Sequence, residues 1–165
     1  MKICIIGSGY VGLVSGACFS DLGNTVICVD INKEIIEKLN KGIIPIYEPG
    51  LQELVVRNLK KKRLLFSTNI SNSIKKSDII FICVGTPTKN NKADLKYVFN
   101  VTKSVKFNLN RYKIIVTKST VPVTTGDKIT KILKSNINKN KFDVVSNPEF
   151  LREGEAIRDF QFPDR

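Results

Sequence analysis

The apolar residues of the chain follow two patterns, short continuous runs and longer segments with the spacing of a helix. Six short runs have the length and the isoleucine and valine content of buried β-strands. Each run ends at glycine or at polar residues, and together they cover residues 2–6, 25–30, 64–68, 78–85, 113–120 and 142–146. We predict a β-strand at each of the six.

The segments between these runs carry apolar residues at the spacing of an α-helix. The first predicted helix runs from Tyr10 to Leu22, with an apolar face formed by Val11, Val14, Cys18 and Leu22. Further helices are predicted after the N-cap residues Asn32 and Asp94 and across residues 51–59, 69–76 and 125–137. Residues 86–94 are predicted to form a polar loop, and residues 147–165 an acidic loop.

The order of these elements is strand, helix, strand, repeated through six strands. This alternation favours a parallel sheet with helices on both faces, and right-handed crossovers leave few topologies. We therefore predict an α/β fold, a Rossmann-type doubly wound, mostly parallel six-stranded sheet. At 165 residues the chain has the length of one domain, predicted to cover residues 1–165.

The sequence GSGYVG (7–12) lies between the first predicted strand and the first predicted helix. Its three glycines have the spacing of a dinucleotide-binding loop, in which Gly7 permits the tight turn and Gly9 lets a pyrophosphate approach the backbone. Gly12 would allow close packing of the helix on the strand. The N–H groups at the helix N-terminus would bind the phosphates.

Asp30 ends the second predicted strand, about 20 residues after this loop. A carboxylate there can accept hydrogen bonds from both hydroxyls of an adenosine ribose, and it would repel a 2′-phosphate. The sequence therefore predicts NAD rather than NADP, although Lys33 lies close enough to weaken that preference. Glycines for packing and an acid capping the next helix are the alternative interpretation.

Three polar stretches follow predicted strands, at residues 84–88, 118–120 and 147–153. Because the carboxyl ends of parallel strands meet at one edge of the sheet, we expect these loops to converge there. The side chains placed to meet the nicotinamide half of a dinucleotide are Thr86, Thr120, Glu149 and Glu153.

The formal net charge is +12, which would suit a nucleic-acid-binding protein. The lysines are scattered, however, and the one dense run, residues 60–63, follows a helical pattern without interleaved aromatic residues. We interpret this run as a solvated helix end and predict no nucleic-acid partner.

The sequence contains no histidine, which excludes Ser-His-Asp and Cys-His catalysis and imidazole zinc sites. The four cysteines, Cys4, Cys18, Cys28 and Cys83, lack metal-ligand spacing and are predicted to be core residues rather than a nucleophile or a metal site. No apolar run is long enough for a membrane span, and glycines interrupt the N-terminus too early for a signal peptide. We expect a cytoplasmic protein.

Six segments are similar to a known family: GSGYVGLVSGACFSDLG, CVDIN, IPIYEPGL, ICVGTPT, KSTVPV and NPEFLREGEAIRDFQFPDR. With these motifs the chain resembles the UDP-glucose 6-dehydrogenase family of nucleotide-sugar dehydrogenases over essentially its whole length. The resemblance implies oxidation of the C6 alcohol of a sugar nucleotide to a carboxylate with two NAD⁺, through an aldehyde and a cysteine thioester.

Motif and resemblance together predict which residues form the site. NAD would be bound by Gly7, Gly9, Tyr10, Val11, Gly12, Asp30, Lys33, Thr86, Thr120 and Glu153. Thr120 would also hold the catalytic water, and Glu149 would be the acid–base group for thioester hydrolysis, with a structural carboxylate capping the following turn as the alternative. Phe150, Leu151 and Arg152, together with Glu149, would line the sugar-nucleotide site.

Two departures from the family pattern limit the expectation. Many members have a lysine five residues after the ribose acid, where this chain has Ile35, so that a cation there would have to come from Lys33. The family's nucleophilic cysteine, its dimerisation helix and its nucleotide-sugar domain lie beyond Arg165. The acidic loop would therefore face a UDP-sugar held between NAD and a second domain, and this chain alone is predicted to bind NAD without turnover.

Other functions stay open at this point. A GDP-mannose or UDP-N-acetylmannosamine dehydrogenase of the same family would share most of these motifs. A free-standing NAD-binding module without catalysis would share the phosphate loop and Asp30. A nucleic-acid-binding protein rests on charge alone.

Overall fold

Six parallel strands form the centre of the computed structural model, which describes residues 1–134 and 141–163. The strands are β1 (Lys2–Ile6), β2 (Thr25–Val29), β3 (Leu64–Ser67), β4 (Ile79–Ile82), β7 (Lys113–Thr117) and β8 (Phe142–Ser146). Their order in the sheet is β3-β2-β1-β4-β7-β8, and every neighbouring pair is parallel. This is the doubly wound Rossmann arrangement, and the predicted fold class is confirmed.

Seven helices are described, on both faces of this sheet. They are α1 (Tyr10–Asp21), α2 (Lys33–Asn40), α3 (Leu51–Lys60), α4 (Ile70–Lys76), α5 (Lys96–Phe107), α6 (Thr125–Lys134) and α7 (Ala156–Gln161). Residues 135–137 of the predicted sixth helix lie outside the described residues.

The two faces of the sheet bury separate apolar cores. Along β1 the side chains alternate, so that Ile3 and Ile5 join the core beneath α1, α2, α3 and α7. Cys4 and Ile6 join the core beneath α4, α5 and α6. Because both faces are covered, the strands are apolar at nearly every position, which is why they are recognisable in the sequence.

Two predicted N-caps are formed by side-chain oxygens. The Asn32 Oδ1 atom accepts the N–H groups of Glu34 and Ile35 over 3.0 and 3.2 Å. The Asp94 Oδ1 atom accepts the N–H of Lys96 over 2.9 Å, although the N-cap position itself is Leu95, one residue later than predicted. Both contacts satisfy N–H groups that a helix start leaves without a partner.

The predicted apolar face of the first helix is wrong in part. Val14 and Cys18 are fully buried, but Leu22 is 67% exposed and follows the end of α1. Helix α1 instead buries most of its circumference, because it is packed against the sheet, α3 and α7. A helix buried nearly all round has no single apolar stripe to detect.

Four predicted strands are shorter than expected, β2 and β3 by one residue each and β4 and β7 by more, and a hairpin and a helix were not predicted. Strand β4 covers only residues 79–82 of the predicted 78–85, and β7 only 113–117 of 113–120. The predicted polar loop contains a hairpin of β5 (Thr88–Lys89) and β6 (Lys92–Ala93), whose turn places Asn90 and Asn91 at φ of 50° and 57°. The predicted acidic loop contains α7.

The basic run at residues 60–63 lies where it was predicted, at the C-terminal end of α3, with its three lysines exposed. Cations are favourable at the end of a helix where carbonyl groups point outward. Within residues 1–134 and 141–163, none of the helices has the length and apolar content that crossing a membrane requires.

Candidate functional site

Strands β1 and β4 lie side by side where the strand order reverses, the point at which doubly wound sheets bind ligands. The N–H of Gly7 donates to the Val29 carbonyl, and the N–H of Cys83 donates to the Ile6 carbonyl, each over 2.8 Å. Gly7 has a φ of +105°, and a Cβ there would lie 2.5 Å from the carbonyl oxygen of Cys83. Only glycine therefore permits the turn that follows β1.

The other two glycines of the loop serve different purposes. A Cβ on Gly12 would lie 1.9 Å from the carbonyl oxygen of Gly7, so Gly12 allows α1 to begin directly against the loop. A Cβ on Gly9 would meet no atom within 4 Å, so the space above Gly9 is open. The buried hydroxyl of Ser8 also has no hydrogen-bond partner in the described part of the chain.

The first turn of α1 has neither a side-chain cap hydrogen bond nor an acidic residue. Its N–H groups are therefore available to an anion, and the helix dipole favours negative charge there. The open space above Gly9 and this uncapped turn fit the pyrophosphate of a dinucleotide.

Asp30 is attached to the same loop. Its Oδ2 atom accepts the N–H of Ser8 over 2.8 Å, and its Oδ1 atom accepts the N–H of Asn32 over 2.9 Å. A carboxylate has about four acceptor positions, so two remain for other donors. Lys33 is exposed at the start of α2, three residues further on.

The three predicted loops do meet at the carboxyl edge of the sheet. They form a cavity of about 270 Å³ lined by Gly9, Tyr10, Val11, Cys83, Val84, Gly85, Thr86, Lys118, Ser119, Thr120 and Glu149. The Thr86 hydroxyl donates to the Thr120 carbonyl over 2.9 Å, and the Ser119 hydroxyl donates to the Val84 carbonyl over 2.7 Å. These contacts fix the loop after β7 to the loop after β4.

Glu149 lies at the border of two cavities. It lines the cavity above and also a larger one of about 810 Å³, formed by Phe19, Lys118, Asn147, Pro148, Phe150, Leu151, Arg152, Asp159, Phe160 and Pro163. Its Oε2 atom accepts the N–H of Leu151 over 2.7 Å. Glu149 therefore caps the following turn, as the alternative interpretation expected, while it also faces both cavities.

The predicted sugar-site residues line the larger cavity, and the side chain of Arg152 forms hydrogen bonds within the chain. The Arg152 guanidinium donates to both carboxylate oxygens of Asp159, over 2.6 and 3.0 Å, and to Glu155 over 3.2 Å. These bonds from Arg152 lower the pKa of Asp159 to about 2. Phe150 is 60% exposed.

Glu153, unlike Glu149, does not line either of the two cavities in the described part of the chain. The residue is exposed. Its charge nevertheless acts on Tyr10, whose pKa is raised by burial, by Glu48 and by Glu153.

Lys118 is a site residue that the sequence did not reveal. It is only 6% exposed and lines both cavities, and its Nζ donates to the Asn147 Oδ1 atom over 3.4 Å. Burial lowers the pKa of Lys118, against the opposing influence of Cys83 and Glu149. The one available signal was a lysine directly after a buried strand, in the motif KST.

Glu48 is the second residue that the sequence did not reveal, although it lies in the quoted motif IPIYEPGL. It is 3% exposed and accepts hydrogen bonds from Tyr10 and from the backbone of residues 154 and 156. Burial alone would raise its pKa, but these hydrogen bonds outweigh burial and hold the pKa below its ordinary value.

The cysteines are core residues. Cys4, Cys18 and Cys28 are buried, and Cys83 is partly exposed beside Gly12 at the smaller cavity. Burial raises the pKa of Cys4, Cys18 and Cys83 to about 12, so these thiols stay protonated near neutral pH. A protonated thiol is a poor nucleophile.

Comparison with known proteins identifies the family to which this arrangement belongs. Residues 1–165 match the model of the UDP-glucose/GDP-mannose dehydrogenase family, NAD binding domain. The UDP-glucose 6-dehydrogenase TuaD of Bacillus subtilis is 54% identical over 160 residues, covering 96% of this chain and 35% of that protein. A UDP-glucose 6-dehydrogenase of Rhizobium meliloti is 50% identical over 167 residues, covering all of this chain and 38% of that protein.

Solved structures agree with this assignment. A UDP-glucose dehydrogenase from Pyrobaculum islandicum superposes with a TM-score of 0.93 at 40% identity, covering 99% of this chain and 39% of that one. A GDP-mannose dehydrogenase from Pseudomonas aeruginosa gives a TM-score of 0.93 at 38% identity, with the same coverage. The predicted family and the predicted cofactor are confirmed, and the chain spans less than two fifths of the length of the curated relatives it matches. The chain belongs to the UDP-glucose/GDP-mannose dehydrogenase family and is its NAD-binding domain.

Proposed function

We propose that this chain is the cofactor domain of an enzyme that oxidises the C6 alcohol of UDP-glucose to a carboxylate with two NAD⁺. The observation that carries this proposal is the cavity in which Tyr10 and Val11 of the phosphate loop meet Thr86, Thr120 and Glu149. Glu149 and the hydroxyl groups of Thr86 and Thr120 would then lie at the nicotinamide end of the dinucleotide. The 54% and 50% identical relatives support UDP-glucose as the substrate.

The first task of the chain's residues is to hold NAD, which accepts the hydride. Gly9 and the uncapped first turn of α1 would receive the pyrophosphate. The two free acceptor positions of Asp30 would bind the ribose hydroxyls, with Lys33 nearby at the surface. Thr86 and Thr120 would contact the nicotinamide half, with Glu153 approaching from the rim.

The second task is proton transfer at the reacting carbon. Glu149 would take a proton from the water that hydrolyses the thioester, and Thr120 would hold that water. A carboxylate and a positioned water are sufficient, so the absence of histidine is no obstacle. Phe150, Leu151 and Arg152 would line the sugar-nucleotide site at the larger cavity.

The remaining parts of the reaction are proposed to lie outside this chain. These are the nucleophilic cysteine, the domain that binds the nucleotide base and the region through which such enzymes dimerise. On this account the 165-residue chain binds NAD but does not oxidise UDP-glucose.

The proposal can be tested with the protein encoded by the complete reading frame that contains this chain. We expect NADH formation with UDP-glucose, and Glu149→Gln should lower kcat by about 10²-fold or more. Glu53→Gln, which changes an exposed glutamate in the first turn of α3, is the control and should leave kcat unchanged. Unchanged turnover in Glu149→Gln would contradict the role of Glu149.

A second candidate substrate follows from the solved structures. The GDP-mannose dehydrogenase superposes as closely as the UDP-glucose dehydrogenase, and a UDP-N-acetylmannosamine dehydrogenase superposes with a TM-score of 0.91 at 28% identity. The fold of this domain therefore does not discriminate the sugar nucleotide. Comparing kcat/KM for the three sugar nucleotides distinguishes the candidates, and we expect UDP-glucose to have the highest value.

A further inference from the structure

Glu48 is a buried carboxylate in the connection between α2 and α3. It is 3% exposed, whereas the flanking Tyr47 is 88% exposed, so the chain turns this glutamate inward. A buried charge is tolerated only when hydrogen bonds replace its hydration. The hydrogen-bond donors around Glu48 therefore show which segments of the chain this carboxylate holds together.

Donors to the Glu48 carboxylate come from two distant parts of the described chain. The Tyr10 hydroxyl donates to Oε2 over 2.5 Å, and Tyr10 is the first residue of α1, directly after Gly9. The N–H of Gly154 donates to Oε2 over 2.8 Å, and the N–H of Ala156 donates to Oε1 over 2.9 Å. One carboxylate thus joins the phosphate loop to the segment that follows Glu149 and Glu153.

The junction lies between the two cavities of the candidate site. Tyr10 lines the smaller cavity, and its hydroxyl is also 3.5 Å from the carbonyl oxygen of Arg152, which lines the larger one. Gly154 has a φ of +90°, and the N–H of Ala156 belongs to the first residue of α7. The Tyr10 phenol and the Glu48 carboxylate therefore form a hydrogen-bonded path from the phosphate loop to residues 152–156.

We propose that Glu48 is a positioning residue that couples binding of NAD at the phosphate loop to the placement of the Glu149–Glu153 segment. The coupling itself uses only contacts within this chain, whereas its value for catalysis rests on the proposed function. If NAD binding stabilises one conformation of residues 152–156, that conformation must in turn bind NAD more tightly by the same factor, because the two equilibria are thermodynamically linked.

Tyr10→Phe is the variant that tests this coupling, because it removes one hydroxyl and leaves Glu48 bonded to Gly154 and Ala156. Tyr112→Phe is the matched control, since Tyr112 also donates to a carboxylate, that of Asp143, at the opposite end of the sheet. Both variants and the unaltered chain are examined by NAD titration and by backbone hydrogen exchange with and without NAD. Glu48→Gln is added as a second variant.

In the unaltered chain and in Tyr112→Phe, NAD is expected to slow exchange at Gly154 and Ala156 by about fivefold or more. In Tyr10→Phe this NAD-dependent protection should be lost, and NAD should bind about fivefold more weakly. Glu48→Gln should show the same two effects. Such a result would support the coupling.

Two results would overturn it. If Tyr10→Phe exchanges faster at these amides to the same extent with and without NAD, and binds NAD as the unaltered chain does, Glu48 only stabilises the fold. If the unaltered chain binds NAD without protecting these amides, the coupling does not exist. A failure to oxidise UDP-glucose would instead contradict the proposed function and would not bear on the coupling, which is tested by NAD titration and hydrogen exchange alone.

Discussion

The Asp30 carboxylate accepts one N–H hydrogen bond on each oxygen, from Ser8 and from Asn32. Its position after β2 was predictable, because a strand that ends on an acid near a glycine-rich loop is a recognisable pattern. The bond to Ser8 was not predictable, since it depends on how β1 and β2 are aligned in the sheet. The same carboxylate thus holds the phosphate loop through Ser8 and keeps two acceptor positions, which the proposed function assigns to the ribose hydroxyls.

Replacing Asp30 tests its assignment as the ribose acid. Asp30→Ala should weaken NAD binding by about tenfold, because hydrogen bonds to a charged acceptor are lost, and it should narrow the preference for NAD over NADP. Isothermal titration with both dinucleotides measures the two effects. Asp127→Ala, at an exposed acid in the first turn of α6, is the control, and an NAD affinity unchanged by Asp30→Ala would refute the role.

Lys118 shows the cost of placing a charged amine between two cavities. Burial lowers its pKa from 10.5, so its ammonium form is less favourable in the folded chain than in the unfolded one. Lys118→Met should therefore raise the free energy of unfolding near neutral pH by about 1 kcal/mol or more. Exposed Lys103→Met is the control, expected to change little.

The pH dependence of this difference has a defined sign. Because the pKa of Lys118 is lower in the folded state, the unaltered chain recovers stability as pH rises through the window below 10.5. The advantage of Lys118→Met should shrink over that window in urea unfolding experiments. A destabilised Lys118→Met variant would show that the hydrogen bond to Asn147 outweighs burial.

At the scale of elements, the sequence predicted the strands and helices that are long enough to show a pattern of apolar residues. The six strands and the helices from α2 to α6 repeat an apolar pattern over several residues, whereas α1 is buried nearly all round, and all of these elements are present. Helix α7 has only six residues, and its start depends on the Glu48 carboxylate, more than 100 positions away in the chain. The two-residue strands β5 and β6 are too short to show alternation.

The attachment of α7 should depend on the ionisation of Glu48. Its pKa lies below the ordinary 4.5, so its contribution to stability is complete above pH 4.5 and is lost as pH falls through the folded-state value. Near neutral pH, Glu48→Gln should lower the free energy of unfolding by about 2 kcal/mol, because a buried N–H loses its acceptor. The difference should diminish in acid, and an acid-independent difference in urea unfolding would contradict this reading.

At the scale of the whole molecule, the cofactor half of the site is much more fully specified by this chain than the sugar half. The phosphate loop, Thr86 and Thr120 line one cavity, Asp30 is hydrogen-bonded to that loop, and the motifs that contain these residues could be located from the sequence. The placement of Glu149 between two cavities, and of Lys118 beside it, could not be predicted because it depends on the spatial meeting of β4, β7 and the loop after β8. The larger cavity, which the proposed function assigns to the sugar, is open, and Phe150 in its lining is 60% exposed.

The net charge of +12 allows a separate test of the alternative function. If the basic residues only solvate the surface, binding of the chain to duplex DNA should be weak, should vanish with added salt and should not involve the site at the sheet edge. NAD at saturating concentration should then leave the residual binding unchanged in a fluorescence polarisation assay. Tight DNA binding at physiological salt, which weakens as more salt is added and which NAD does not compete away, would contradict the assignment of the basic run to a solvated helix end.

A calorimetric titration of the chain with NAD and, separately, with NADP decides whether the sheet edge is a site for NAD. We expect saturable binding of one NAD per chain, with NADP bound more weakly because Asp30 would repel its 2′-phosphate. Addition of UDP-glucose should produce no NADH from this chain. Absence of NAD binding, or equal affinity for the two dinucleotides, would contradict the roles assigned to the phosphate loop and to Asp30.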